Sequence, residues 1–101
     1  MSNEFEILYL KIAIKDLDEI FDYIKSDNPR AASALLDKFD KTISKLSKYP
    51  KVGRAPKDDR LKGLGYRVLI VENYLVFYVI KNKKIEIRRV LHGARNYKFL
   101  F

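Results

Sequence analysis

The sequence predicts an α+β fold: an N-terminal strand, then an antiparallel two-helix hairpin packed on a C-terminal antiparallel β-meander. Three observations carry this. Apolar residues in the first half recur at helical spacing. The second half changes to runs of branched and aromatic residues with short polar breaks. Between them lies a stretch holding two of the three prolines and three of the four glycines. Neither an amphipathic hairpin nor a one-faced sheet hides its apolar side alone, so the two must pack together.

Residues 5–10, FEILYL, read as a short strand. In IKDLDEIFDYIKSDNP, Leu17, Ile20, Phe21 and Ile24 fall at i, i+3, i+4 and i+7, one face of a helix. Asp16, Asp18, Glu19 and Asp22 crowd the remaining surface and the early turns, where the helix dipole favours them, and are expected to face solvent. Asn28 and Pro29 suit the cap and first position of a second helix. Its stripe is Ala32, Leu35, Leu36, Phe39, Ile43 and Leu46, with lysines towards its end. The short connection makes the pair a hairpin.

Residues 50–65, PKVGRAPKDDRLKGLG, read as a basic loop. YRVLIVE, YLVFYVIK and KKIEIRRVL then follow as three strands, broken at Asn73 and at Lys81-Asn82-Lys83. Short turns make them an antiparallel meander. The N-terminal strand completes the sheet at an edge.

At 101 residues with 48% hydrophobic content, one domain over residues 1–101 is expected. The absence of cysteine excludes disulfides, thiol nucleophiles and cysteine zinc sites, and suits a reducing cytoplasm. No signal peptide and no apolar run long enough for a membrane span is visible. The formal net charge of +8 is unevenly placed: residues 1–50 carry −1 and residues 51–101 carry +9. A basic half attracts polyanions, either nucleic acid or an acidic protein segment. The plainer alternative is a solubilising lysine surface.

One histidine and no cysteine argue against a metal site, and no cofactor is implied. A nucleophile elbow and a phosphate-cradling glycine loop are both missing; GLG at 63–65 precedes a strand, not a helix. What remains is RRVLHGARNY, residues 88–97. Metal-free RNA cleavage needs an acid/base group, a cation to steady the phosphate, and a proton for the leaving oxygen. His92, Tyr97, Arg95 and Arg67 are residue types that supply these. A structural histidine at a strand end, hydrogen-bonded to backbone, is the plainer reading of His92. The adjacent Arg88 and Arg89 must point to opposite faces, so one lies on the helix-covered side or a bulge re-aims it.

The order of these features, ending in ENYLVFY and RVLHGAR, resembles the RelE/ParE toxins of bacterial type II toxin–antitoxin systems over about residues 5–97. The resemblance implies a small toxin silenced by a cognate antitoxin, with operator DNA bound through the antitoxin complex. It implies no membrane partner. RelE-like members cut mRNA on the ribosome; ParE-like members inhibit DNA gyrase. The RelE-like pattern places an arginine where Leu75 stands here. Its preceding-strand lysines fall on or near Tyr66 and Val68, with Arg67 out of phase. The expectation is therefore a ParE-like gyrase inhibitor acting by protein–protein contact. Arg60, Arg67, Arg88, Arg89 and Arg95 are its candidate target- or antitoxin-binding residues, joined by His92 and Tyr97. The alternative is a ribosome-dependent mRNA endonuclease using His92, Tyr97, Arg95 and Arg67.

Overall fold

A computed structural model describes residues 4–93 and 101. Strand β1 (Glu6–Tyr9) leads into helices α1 (Lys11–Lys25) and α2 (Pro29–Ser44), the latter tightening into a 3₁₀ turn (Lys45–Ser47). A short helix α3 (Asp59–Gly63) precedes β2 (Arg67–Val71), β3 (Tyr74–Lys81) and β4 (Lys84–His92). The expected hairpin and meander are both present. Asn28 caps α2 by accepting the Ala31 N–H, with Pro29 in the first turn. Helix α3 corrects the reading of residues 50–65 as a loop. Asp58 accepts the N–H groups of Arg60 and Leu61 there, and Leu61 is fully buried. Five residues are too few for a periodicity to show; the cap and one anchored leucine make the turn.

The sheet order is β1-β4-β3-β2. Strand β1 lies at an edge, parallel to β4, while β2–β3 and β3–β4 are antiparallel. Both hairpins close with two residues, Glu72-Asn73 and Asn82-Lys83. Such tight turns need left-handed backbone. Asn82 and Lys83 take φ of 48° and 66°, and Glu72 takes 53°.

The two faces of the sheet have different covers. On one, Leu69, Val71, Val76, Tyr78, Ile85, Ile87 and Val90 meet Ala13, Phe39, Ile43 and Leu46 from the helices and the 3₁₀ turn. On the other, Val68, Phe77 and Leu91 pack with Leu61 of α3 and with Tyr66, Leu75 and Phe101. The Phe101 ring lies 5.0 Å from Phe77 and 5.1 Å from Tyr66. Of the Phe99-Leu100-Phe101 tail, Phe101 therefore belongs to the second core. Phe99 and Leu100 lie outside the described residues.

Tyr78 ties the loop after α2 to the sheet. Its ring is fully buried, its hydroxyl donates to the Pro50 carbonyl at 2.7 Å, and it accepts the Gly53 N–H at 2.9 Å. A Cβ on Gly53 would sit 2.5 Å from that oxygen, so glycine is what lets the loop approach. Burial raises the Tyr78 pKa above its usual value, against smaller opposing contributions from the Gly53 hydrogen bond and Arg67.

Tyr78→Phe removes both hydrogen bonds and strands two backbone groups, so urea melts at pH 7 should show a loss of about 1–3 kcal/mol. A raised tyrosine pKa means that the unfolded chain ionises first. Its contribution is complete below about pH 10 and is lost as pH rises above that value. The alkaline decline of stability should be shallower in Tyr78→Phe than in wild type. It should not vanish, because burial also raises the Tyr9 pKa, with a further push from Asp40.

Candidate functional site

Strand β4 runs past the end of β1, because β1 stops at Tyr9, paired with Ile87. Backbone groups of β4 beyond Ile87 thus lose their neighbour strand, and α1 takes its place. Asp16, 8% exposed, accepts the Val90 N–H at 3.0 Å. It also accepts two hydrogen bonds from Arg89, at 2.8 and 2.9 Å. Asp16 therefore does not face solvent with Asp18, Glu19 and Asp22. A carboxylate is needed inside because an arginine and an edge amide are buried beside it. The Asp16 hydrogen bonds hold the Arg89 pKa above the ordinary arginine value, so its charge is fixed.

A bulge sets this geometry. Phe77 pairs with Arg89 and Tyr78 with Ile87, which leaves Arg88 as the extra residue. Of the two outcomes that adjacent arginines allow, the bulge is realised, and the two side chains part. Arg88 holds Glu86 at 2.7 and 3.1 Å and lies 5.8 Å over the Tyr66 ring. Arg89 goes to the helix.

Beyond the bulge a cleft of about 450 Å³ opens between α1 and the end of β4. Asp16, Glu19, Ile20, Tyr23, Tyr74 and His92 are among its walls. His92 is exposed, opposite Tyr74 in the ladder, and packs edge-on against that ring at 5.3 Å. Among the described residues no group of three or more His, Cys, Asp or Glu side chains is placed to hold a metal.

The candidate cations are dispersed. Arg67 is half-buried and donates to the carbonyls of Lys51 and Gly53 at 3.1 and 2.9 Å. It lies opposite Tyr78, while His92 lies opposite Tyr74 on the far side of β3. Four residues along the strand and two strand spacings put their backbones roughly 16 Å apart. Arg60 is exposed on α3 and donates to the Phe101 carbonyl at 3.3 Å. Arg95 and Tyr97 lie outside the described residues. The sheet face away from the helix hairpin is apolar at the positions in question: Val68 is buried, and Leu75 and Tyr66 are half-buried. Sequence reading missed Asp16, Glu19 and Tyr23 as cleft residues. Their only signal was helical spacing, since Asp16, Glu19 and Tyr23 share one side of α1.

The family described as the ParE toxin of type II toxin–antitoxin systems, parDE, matches residues 7–97. The chain belongs to the ParE toxin family. Toxin ParE3 of Caulobacter vibrioides is 32% identical over 82 residues, covering 80% of this chain and 79% of that protein. The putative toxin Y4kP of Sinorhizobium fredii is 32% identical over 85 residues, covering 84% of each. Among solved structures, the chromosomal ParDE system of P. aeruginosa superposes with a TM-score of 0.74 at 22% identity, over 90% of this chain and 98% of that one. The RelBE2 toxin–antitoxin complex of Mycobacterium tuberculosis gives 0.60 at 21% identity, over 88% and 98%. These two likenesses carry the fold alone. The α+β expectation and the family resemblance both stand, and this ParE-family chain has the hairpin-on-meander architecture of its structural neighbours.

Breaking the Asp16–Arg89 pair from one side should cost far more than removing it whole. Asp16→Asn leaves a mostly buried guanidinium without its counter-charge, a loss of about 3 kcal/mol in urea melts. The double variant Asp16→Asn, Arg89→Met should be more stable than Asp16→Asn alone, because the unpaired charge is gone while Asn keeps an acceptor for Val90.

Proposed function

We propose that the chain is a growth-inhibiting toxin that acts on DNA gyrase by protein–protein contact and is silenced by a cognate antitoxin. Membership of the ParE family supports the toxin role. The ParDE and RelBE structural neighbours, both toxin–antitoxin systems, support an antitoxin partner. The observation that carries the branch is the chemistry of the sheet face away from the hairpin. Leucine, valine and tyrosine occupy the positions where the RelE-like pattern has phosphate-gripping cations. Apolar side chains give no stabilisation to charge developing on a phosphate. Arg67, Arg88 and Arg89 are engaged with carbonyls and carboxylates of the chain itself. An apolar face with cations at its margins suits a protein partner. In this reading Arg60 is an exposed cation for target or antitoxin, and Arg95 and Tyr97 keep the role that the sequence proposes for them.

The exposed imidazole of His92 at a cleft mouth favours one second reading, ribosome-dependent mRNA cleavage. Two assays on the purified protein separate the two: gyrase supercoiling, and mRNA cleavage on programmed ribosomes. The expected result is loss of supercoiling with intact mRNA. Cleavage in codon register without a gyrase effect would sink the gyrase reading. In that event His92→Gln should lower the cleavage rate by about 10²-fold or more if His92 transfers the proton.

A further inference from the structure

We infer that residues 49–54 form a preorganised docking knob, in which exposed Tyr49 and Val52 enter an apolar recess on an acidic protein surface. The inference rests on the chain being a toxin with a protein target, and it names the part that first grips that target.

The loop is held with unusual redundancy. Tyr78 bridges Pro50 and Gly53 from below, and Arg67 grips the carbonyls of Lys51 and Gly53 from the side. Arg54 exchanges two backbone hydrogen bonds with Val68, at 3.0 and 2.8 Å. Val52 donates its N–H to Tyr49, closing the turn. All these restraints are made by backbone atoms of the loop. The side chains gain none of the benefit: Tyr49 is 63% exposed and Val52 61%. A rigid loop that presents an aromatic and an aliphatic side chain to water has already lost the entropy that docking would otherwise cost. Tyrosine beside cations is the composition of interface hot spots.

Charge selects the partner. From residue 41 to residue 57 there is no Asp or Glu, but there are six cations: Lys41, Lys45, Lys48, Lys51, Arg54 and Lys57. Lys48, Lys51, Arg54 and Lys57 are exposed and form no ion pair with a described carboxylate. An acidic surface is steered to such a block and aligned on it. The aliphatic Val52 offers nothing for base stacking, which favours an acidic protein over a nucleic acid.

The test uses the full chain expressed without antitoxin in growing bacteria, together with binding of the purified protein to purified gyrase. Two surface pairs are changed, Tyr49→Ala with Val52→Ser, and Lys51→Glu with Arg54→Glu. These leave the backbone restraints in place, so thermal midpoints should match wild type. Each pair should reduce growth arrest at least tenfold in colony counts, and weaken gyrase binding in parallel. Undiminished arrest by both pairs would overturn the docking role, whatever the target. If wild type arrests growth without binding gyrase, yet the pairs lose arrest, the gyrase reading fails and the knob stands. Failure of wild type to arrest growth counts against both. Binding of a single-stranded RNA 30-mer by wild type and not by the pairs would move the contact to nucleic acid and reject the inference. Tyr78→Phe tests positioning. Trypsin cleavage after Lys51 or Arg54 should rise and arrest should weaken, although the exposed surface is unchanged; faster cleavage with full arrest would refute preorganisation.

Discussion

The carboxylate of Asp16 joins the two halves of this protein. It stands where β1 ends too early, completes the edge of β4 by accepting the Val90 N–H, and neutralises Arg89. Without an acceptor at that point, a buried amide and a buried guanidinium would both be unsatisfied. The bulge at Arg88 and the cleft before His92 both lie where this helix carboxylate stands in for a missing strand. In the observed placement of α1 on β4, the Arg89 guanidinium and the Val90 N–H are satisfied by the one carboxylate.

A second constraint operates at the opposite end of the sheet. There Tyr78 and Arg67 spend their polar atoms on the backbone of the loop after α2. Both are anchored on strands, and both restrain a segment with no regular structure of its own. Hence the two ends have different characters. One is a cleft with carboxylates, tyrosines and an imidazole; the other is a basic loop held in place by the sheet.

The basic excess has two destinations. Arg67, Arg88 and Arg89 serve the fold, and their charges are spent on carbonyls, Glu86 and Asp16. Exposed Lys48, Lys51, Arg54 and Lys57 form no ion pair with a described carboxylate and contribute to the long-range field. A formal charge count treats these as one population. The first group is placed within the packed layers, and the second is open to a partner.

The sequence by itself determined the main elements, all but α3, and the packing of the helix hairpin on the sheet. Helical spacing at Leu17, Ile20, Phe21 and Ile24, the Asn28-Pro29 start, and the β-branched runs after residue 65 are local signals, each fixed by backbone geometry. The motifs around ENYLVFY and RVLHGAR carried the family, and Leu75 already marked the departure from a nuclease pattern. Tertiary structure decided which side chains meet. Asp16 looked like any acidic residue on an amphipathic helix, because its burial depends on Arg89, 73 residues away. Helix α3 was hidden by its brevity, and the loop clamp by a separation of 25 residues between Gly53 and Tyr78. Periodicity reports the face of one element; it holds no information about which polar group of another element will lie against that face.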